Sequence, residues 1–218
     1  MKKQFLVIGL GRFGSSICKE LYKIGHEVLA IDLIPEHVDA VKDYVTYSAI
    51  ADATDEASLQ DLGVNNFDHA VVAIGENLQA SVLATLILKE IGVPIVWVKA
   101  RDLQHQMVLE KVGADLVIQP EFEMGIRVAH HMDSEKIIDY IDLSEDYSII
   151  EWEASLKMLN KTLKELNITA KYRCMILAIK RGENVNIAPM PDDEVQKGDV
   201  LVVIGHRDDL KQFERKGL

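Results

Sequence analysis

Phe5-Leu6-Val7-Ile8-Gly9-Leu10-Gly11-Arg12-Phe13-Gly14 is the stretch that decides the fold. The apolar run 5–8 reads as a strand and the three glycines as a G-x-G-x-x-G turn. The residues that follow carry Phe13, Ile17, Leu21 and Ile24 at the spacing of a helix that packs on a core. A second apolar run, Val28-Leu29-Ala30-Ile31, ends in Asp32, eighteen residues after Gly14. The bare glycine motif is a weak signal. Strand, turn, helix, strand and acid in this order are a strong one, and they predict a βαβ unit with a phosphate-binding turn. Gly9 permits the tight turn, Gly11 lets the backbone approach a phosphate, and Gly14 lets the helix sit close to the strand. The helix N–H groups and dipole then face an anion. Asp32 is the expected acceptor for ribose hydroxyls. Arg12 suits a terminal phosphate with exposed oxygens, the alternative being a solvated arginine at a helix start.

The same punctuation recurs downstream. Gly25, Gly63, Gly92 and Gly113 each close a helical stretch shortly before an apolar run, as expected for a left-handed residue just past a helix end. Strands are expected near 4–8, 28–32, 47–51, 70–75, 95–99 and 116–119. Their nearly unbroken apolarity is that of a parallel sheet covered on both faces. The predicted class is α/β: a Rossmann-like, doubly wound, six-stranded parallel sheet over 1–134, followed by a smaller α+β domain over 135–218. Helix 78–91 carries Leu78, Val82, Leu83, Leu86, Ile87 and Ile91, a surface broad enough for core burial or for a contact between helices of two copies. A helix over 122–132 leads out of the sheet, with His130-His131 read as a solvated end. Beyond it, strands are expected at Tyr147–Glu153, Cys174–Lys180, Val185–Ala188 and Val200–Gly205, with helices at Thr162–Leu166 and Asp208–Arg215.

Composition narrows the function. The chain has 218 residues, is 48% hydrophobic and 27% charged, and carries a formal net charge of −11. It shows no basic run and no basic–aromatic stripe, so nucleic-acid binding is not expected. The N-terminus enters a strand at once rather than a signal peptide, and no run approaches the ~20 apolar residues of a membrane span. Cys18 and Cys174 read as buried thiols in a reducing cytoplasm.

In an open α/β sheet, ligands lie outside the carboxyl ends of the strands. The residues expected there are Asp32, then Asp52, Ala53 and Thr54, then Ile74, Gly75 and Glu76, then Lys99 and Arg101, and Glu121. Asp52 and Thr54 read either as adenine-side hydrogen-bonding groups or as caps of a helix from Asp55. Lys99 and Arg101 read as phosphate partners across the cleft from Arg12 or as surface salt-bridging groups. No nucleophile elbow, paired catalytic carboxylates, metal-ligand spacing or Walker lysine is present, and no catalytic residue is assigned. A nucleotide site without catalytic equipment points to a sensor. A small NAD-dependent oxidoreductase is the alternative from another class.

Several stretches together resemble the regulatory subunits of Ktr-type bacterial potassium uptake systems, the RCK (KTN) nucleotide-binding family. They are 5–14, Ala51-Asp52-Ala53-Thr54, Val72-Ala73-Ile74-Gly75-Glu76-Asn77, Trp97-Val98-Lys99-Ala100, 109–115, Tyr140-Ile141-Asp142-Leu143-Ser144, Ala170-Lys171-Tyr172 and 202–205. The resemblance implies a cytoplasmic ATP/ADP-binding protein, peripheral on the inner membrane face through a potassium-transporting membrane subunit of Ktr or Trk type. It implies homodimers assembling into an octameric ring, with ATP favouring the conducting state. On this resemblance Gly9, Gly11, Arg12, Phe13 and Gly14 form the phosphate turn, Asp32 holds the ribose and Asp52 the adenine side. Lys99 and Arg101 match phosphate-side positions. Glu121 matches a position used for Mg²⁺ or Ca²⁺. Cyclic di-AMP is an implied ligand of the second domain around Ile168–Ala178 and Pro189, although Thr169 stands where relatives often have arginine. NAD(H) in place of ATP/ADP is the alternative within the family.

Overall fold

A computed structural model describes residues 2–133 and 137–216, without the side chains of His130, His131, Asp133 and Lys216. The expected solvated pair His130-His131 therefore lies outside the described side chains. The chain divides into two compact units, Met1–Pro120 and Glu121–Leu218. That division falls before the helix out of the sheet, not after it as in the limits 1–134 and 135–218.

The first unit alternates β1 (Gln4–Ile8), α1 (Arg12–Lys23), β2 (Glu27–Asp32), α2 (Pro35–Asp39), β3 (Tyr47–Ile50), α3 (Glu56–Asp61), β4 (His69–Val72), α4 (Leu78–Ile91), β5 (Ile95–Lys99), α5 (Leu103–Lys111) and β6 (Leu116–Ile118). All pairings are parallel, and the strand order is β3-β2-β1-β4-β5-β6, the doubly wound order expected. Successive residues of a strand point to opposite faces. Leu6, Ile8, Leu29 and Ile31 accordingly join one buried cluster, while Val7, Val28 and Ala30 join another. The four predicted helix-closing glycines all adopt positive φ, from 69° to 102°.

Two details differ from the sequence reading. β4 ends at Val72, so the apolar residues Ala73 and Ile74 line a cavity rather than extend the strand. α4 buries Ala84, Ile87 and Leu88, while Leu83 stays 37% exposed, so core burial accounts for most but not all of its apolar surface.

The second unit begins with α6 (Pro120–Asp133), followed by β7 (Ile137–Asp142), β8 (Tyr147–Glu153), α7 (Leu163–Leu166), α8 (Ile168–Tyr172), β9 (Met175–Arg181), β10 (Asn184–Ile187), β11 (Val200–His206) and α9 (Arg207–Lys216). The strands form an antiparallel sheet in the order β10-β9-β11-β8-β7. One face packs on a core in which Phe213 of α9 lies against Trp152 and Tyr172, with ring centroids 5.3 and 5.5 Å away. α7 starts with a reciprocal cap: the Thr162 hydroxyl accepts from the Glu165 N–H, and the Glu165 carboxylate accepts from the Thr162 N–H. Both cysteines are free and buried. Burial pushes the Cys18 thiol up to about 12 and the Cys174 thiol up to about 11, so both are inert at neutral pH.

Candidate functional site

The glycine turn between β1 and α1 is built as its three glycines require. Gly9 has φ of 89°, and a Cβ there would meet the Ala73 carbonyl carbon at 3.0 Å. A Cβ on Gly14 would overlap the Gly9 carbonyl oxygen. No side chain but glycine fits at either place. Gly11 is different: nothing lies within 4 Å of a Cβ there, and the residue lines a cavity of about 540 Å³. Gly9 and Gly14 serve the packing of helix on strand, and Gly11 leaves room above the turn.

α1 begins without a capping side-chain bond and without an acidic residue in its first turn. Its first N–H groups are therefore left for another partner. Arg12 stands exposed at the first helical position, and its guanidinium takes no hydrogen bond or ion pair among the described residues.

The remaining cavity wall comes mainly from the carboxyl ends of β2 and β3 on one side of β1 and of β4 on the other. Asp32 closes β2, Ala51 to Thr54 follow β3, and Ala73 to Asn77 follow β4. The Asp32 carboxylate accepts from the Leu10 N–H at 2.6 Å, the Ile34 N–H at 2.9 Å and His37 Nδ1 at 3.1 Å. Burial pushes the Asp32 carboxyl up, but these three bonds outweigh it and hold it below the usual carboxylate range. Asp32 is thus ionised at neutral pH. Asp52 Oδ1 accepts from both the N–H and the hydroxyl of Thr54, at 2.8 and 2.7 Å. This local turn replaces the expected cap: α3 starts a residue later than expected, behind Asp55. Ala53 is buried beneath that turn. Ile74, Gly75 and Glu76 line the opposite wall, next to Asn77, which caps α4 by accepting from the Ala80 N–H.

Lys99, Phe13 and Gly75 come together. Lys99 Nζ lies 5.9 Å from the Phe13 ring centroid and 3.5 Å from the place of a Cβ on Gly75. Arg101 is not brought to the cavity wall; it pairs with Asp102 at 3.1 Å. Glu121 stands with Glu123 in the first turn of α6, in the second unit. His37 is the polar cavity residue that the sequence did not disclose. It lies on a helix of five residues, too short for a periodic pattern, and only its position five residues after Asp32 hinted at a contact.

The strand order, the glycine turn and the open cavity above it define a protein of the Rossmann type. Residues 5–120 match the TrkA-N domain family and residues 148–216 the TrkA-C domain family. The chain is 50% identical to the Ktr system potassium uptake protein A of Bacillus subtilis (strain 168), covering 99% of this chain and 97% of that protein. It is 47% identical to protein C of the same system in that organism, over 100% and 99%. The chain belongs to this family of Ktr potassium uptake proteins, built of a TrkA-N and a TrkA-C domain. Those relatives are named for potassium uptake and not for a catalysed reaction. Among solved structures, the GsuK channel bound to NAD shares the fold with a TM-score of 0.56 at 21% identity, over 98% of this chain and 38% of that one. This chain thus spans well under half of the channel's length. No helix among the described residues is long and apolar enough to cross a membrane.

Proposed function

We propose that the chain is a nucleotide-sensing subunit that regulates a membrane potassium transporter, with ATP or ADP seated in the cavity of the first unit. The start of α1 carries this reading. Uncapped N–H groups, an Arg12 without a partner among the described residues and the open space over Gly11 form an arrangement suited to an anion with exposed oxygens. Asp32 and Asp52 line the same cavity on the side where a nucleoside would lie. The potassium transporter is the partner by analogy with relatives named for potassium uptake. Such a ligand moves a transporter only through its different affinity for two shapes of the regulator.

The finer parts of the proposal follow from the family resemblance. Homodimers assemble into an octameric ring on the cytoplasmic face of the transporter. Glu121 belongs to a site for Mg²⁺ or Ca²⁺, since hard cations favour carboxylate oxygens. Cyclic di-AMP binds to the second unit. NAD(H) is the second reading, favoured by Asp32 closing β2 in the position of a ribose acceptor.

Calorimetric titration of the full chain with ATP, ADP and NADH, native and with Arg12→Ala, tests the proposal. The substitution is expected to weaken ATP on the order of tenfold or more, the loss of one charge-assisted contact, and to change NADH little. Equal losses for all three ligands overturn the terminal-phosphate role of Arg12. Tightest binding of NADH to the native chain replaces the first reading by the second.

A further inference from the structure

An ionised carboxylate offers about four lone-pair sites for hydrogen bonds. On Asp32, whose side chain is 12% exposed, three are already used. Oδ2 accepts from the Leu10 N–H and from His37 Nδ1, and Oδ1 accepts from the Ile34 N–H. The two main-chain donors are fixed by the glycine turn and by the chain entering α2. His37 is not fixed in that way. Its side chain is 41% exposed and makes no other hydrogen bond among the described residues. Rotation of that one side chain releases the site it fills. A ribose brings two donor hydroxyls, at the 2′ and 3′ positions, to a carboxylate with one open site.

We propose that His37 is a specificity-determining residue of the cavity, occupying the acceptor site on Asp32 that a second ribose hydroxyl would use. With His37 in place, the carboxylate accepts one hydroxyl and distinguishes ribose from deoxyribose weakly. Without it, both hydroxyls are accepted and the distinction sharpens. The inference rests on the reading that the cavity takes a nucleotide.

The experiment is calorimetric titration of the full chain with ADP and with 2′-deoxy-ADP, in the native protein, His37→Ala and His37→Gln. In the native protein the two ligands are expected to bind within about threefold of each other. His37→Ala is expected to widen that ratio to on the order of tenfold, the value of a hydrogen bond to a charged acceptor. His37→Gln, which keeps one N–H donor, is expected to retain the narrow ratio. An identical ratio in the native protein and His37→Ala overturns the proposal. No binding of ADP to any of the three proteins instead overturns the nucleotide reading of the cavity, and this inference with it.

Discussion

The two sheets solve the burial problem in opposite ways. In the first unit, β2 buries four consecutive residues, Val28 to Ile31, because helices cover both faces of the parallel sheet. In the second unit, β8 and β11 bury every second residue, with Ser148, Ile150 and Trp152 inward on one strand and Leu201, Val203 and Gly205 inward on the other. One sheet is a two-sided core whose strand ends open into a cavity. The other is a one-sided core that leaves a face half-exposed. The lesson is that a sheet buried on both faces has only its ends left for a ligand, and that is where the glycine turn, Asp32 and Asp52 are found.

The sharpest way to separate the two units energetically is to empty the smaller core. Phe213 is fully buried and touches two further rings, so Phe213→Ala is expected to cost about 3–5 kcal/mol. Calorimetry should show the loss in the transition of the second unit, with the first unit's transition unchanged. A uniform shift of both would show that the units unfold as one.

Acid tests the same contrast more gently. Asp199 is buried in the second unit, where Arg181 holds it with two bonds of 2.8 Å. Burial pushes its carboxyl up, but Arg181 and the Gln196 N–H outweigh that and lower it from the ordinary 3.8. A lowered carboxyl contributes stability that is fully present above the ordinary value and is lost as pH falls through the lowered one. Asp199→Asn should therefore lower the melting temperature of the second unit at pH 7 and flatten its decline below about pH 4. An unchanged acid profile would assign that decline to other carboxylates.

The smallest expected effect lies in the first unit. Ser81 of α4 is fully buried and its hydroxyl has no partner among the described residues. Ser81→Ala removes an unsatisfied group and improves helix propensity, so a gain of up to about 1 kcal/mol is expected in denaturant unfolding. A loss of that size would mean that the hydroxyl is satisfied in solution.

Legibility in the sequence followed the same division. β1, α1 and β2 were readable because glycine at positions 9 and 14 is a backbone necessity and the apolar runs are continuous. β4 was read three residues too long because Ala73 and Ile74 are apolar; apolarity reports burial and not ladder hydrogen bonds. β7 went unread because it is an edge strand with a register shift between Ile137 and Asp139, which breaks the period of two. α8 went unread because five residues between Asn167 and Arg173, both at positive φ, carry no periodicity.

By itself, the sequence determined the doubly wound order, the placement of the glycine turn and the candidate acids Asp32 and Asp52. Those features are set by local backbone needs and by period, which act along the chain. Only the tertiary structure decided that Arg101 turns to Asp102, that Asp52 closes its own turn with Thr54, and that His37 fills a site on Asp32. Side-chain partnerships depend on which groups meet across space, and a short helix such as α2 leaves no periodic trace of where its residues will point.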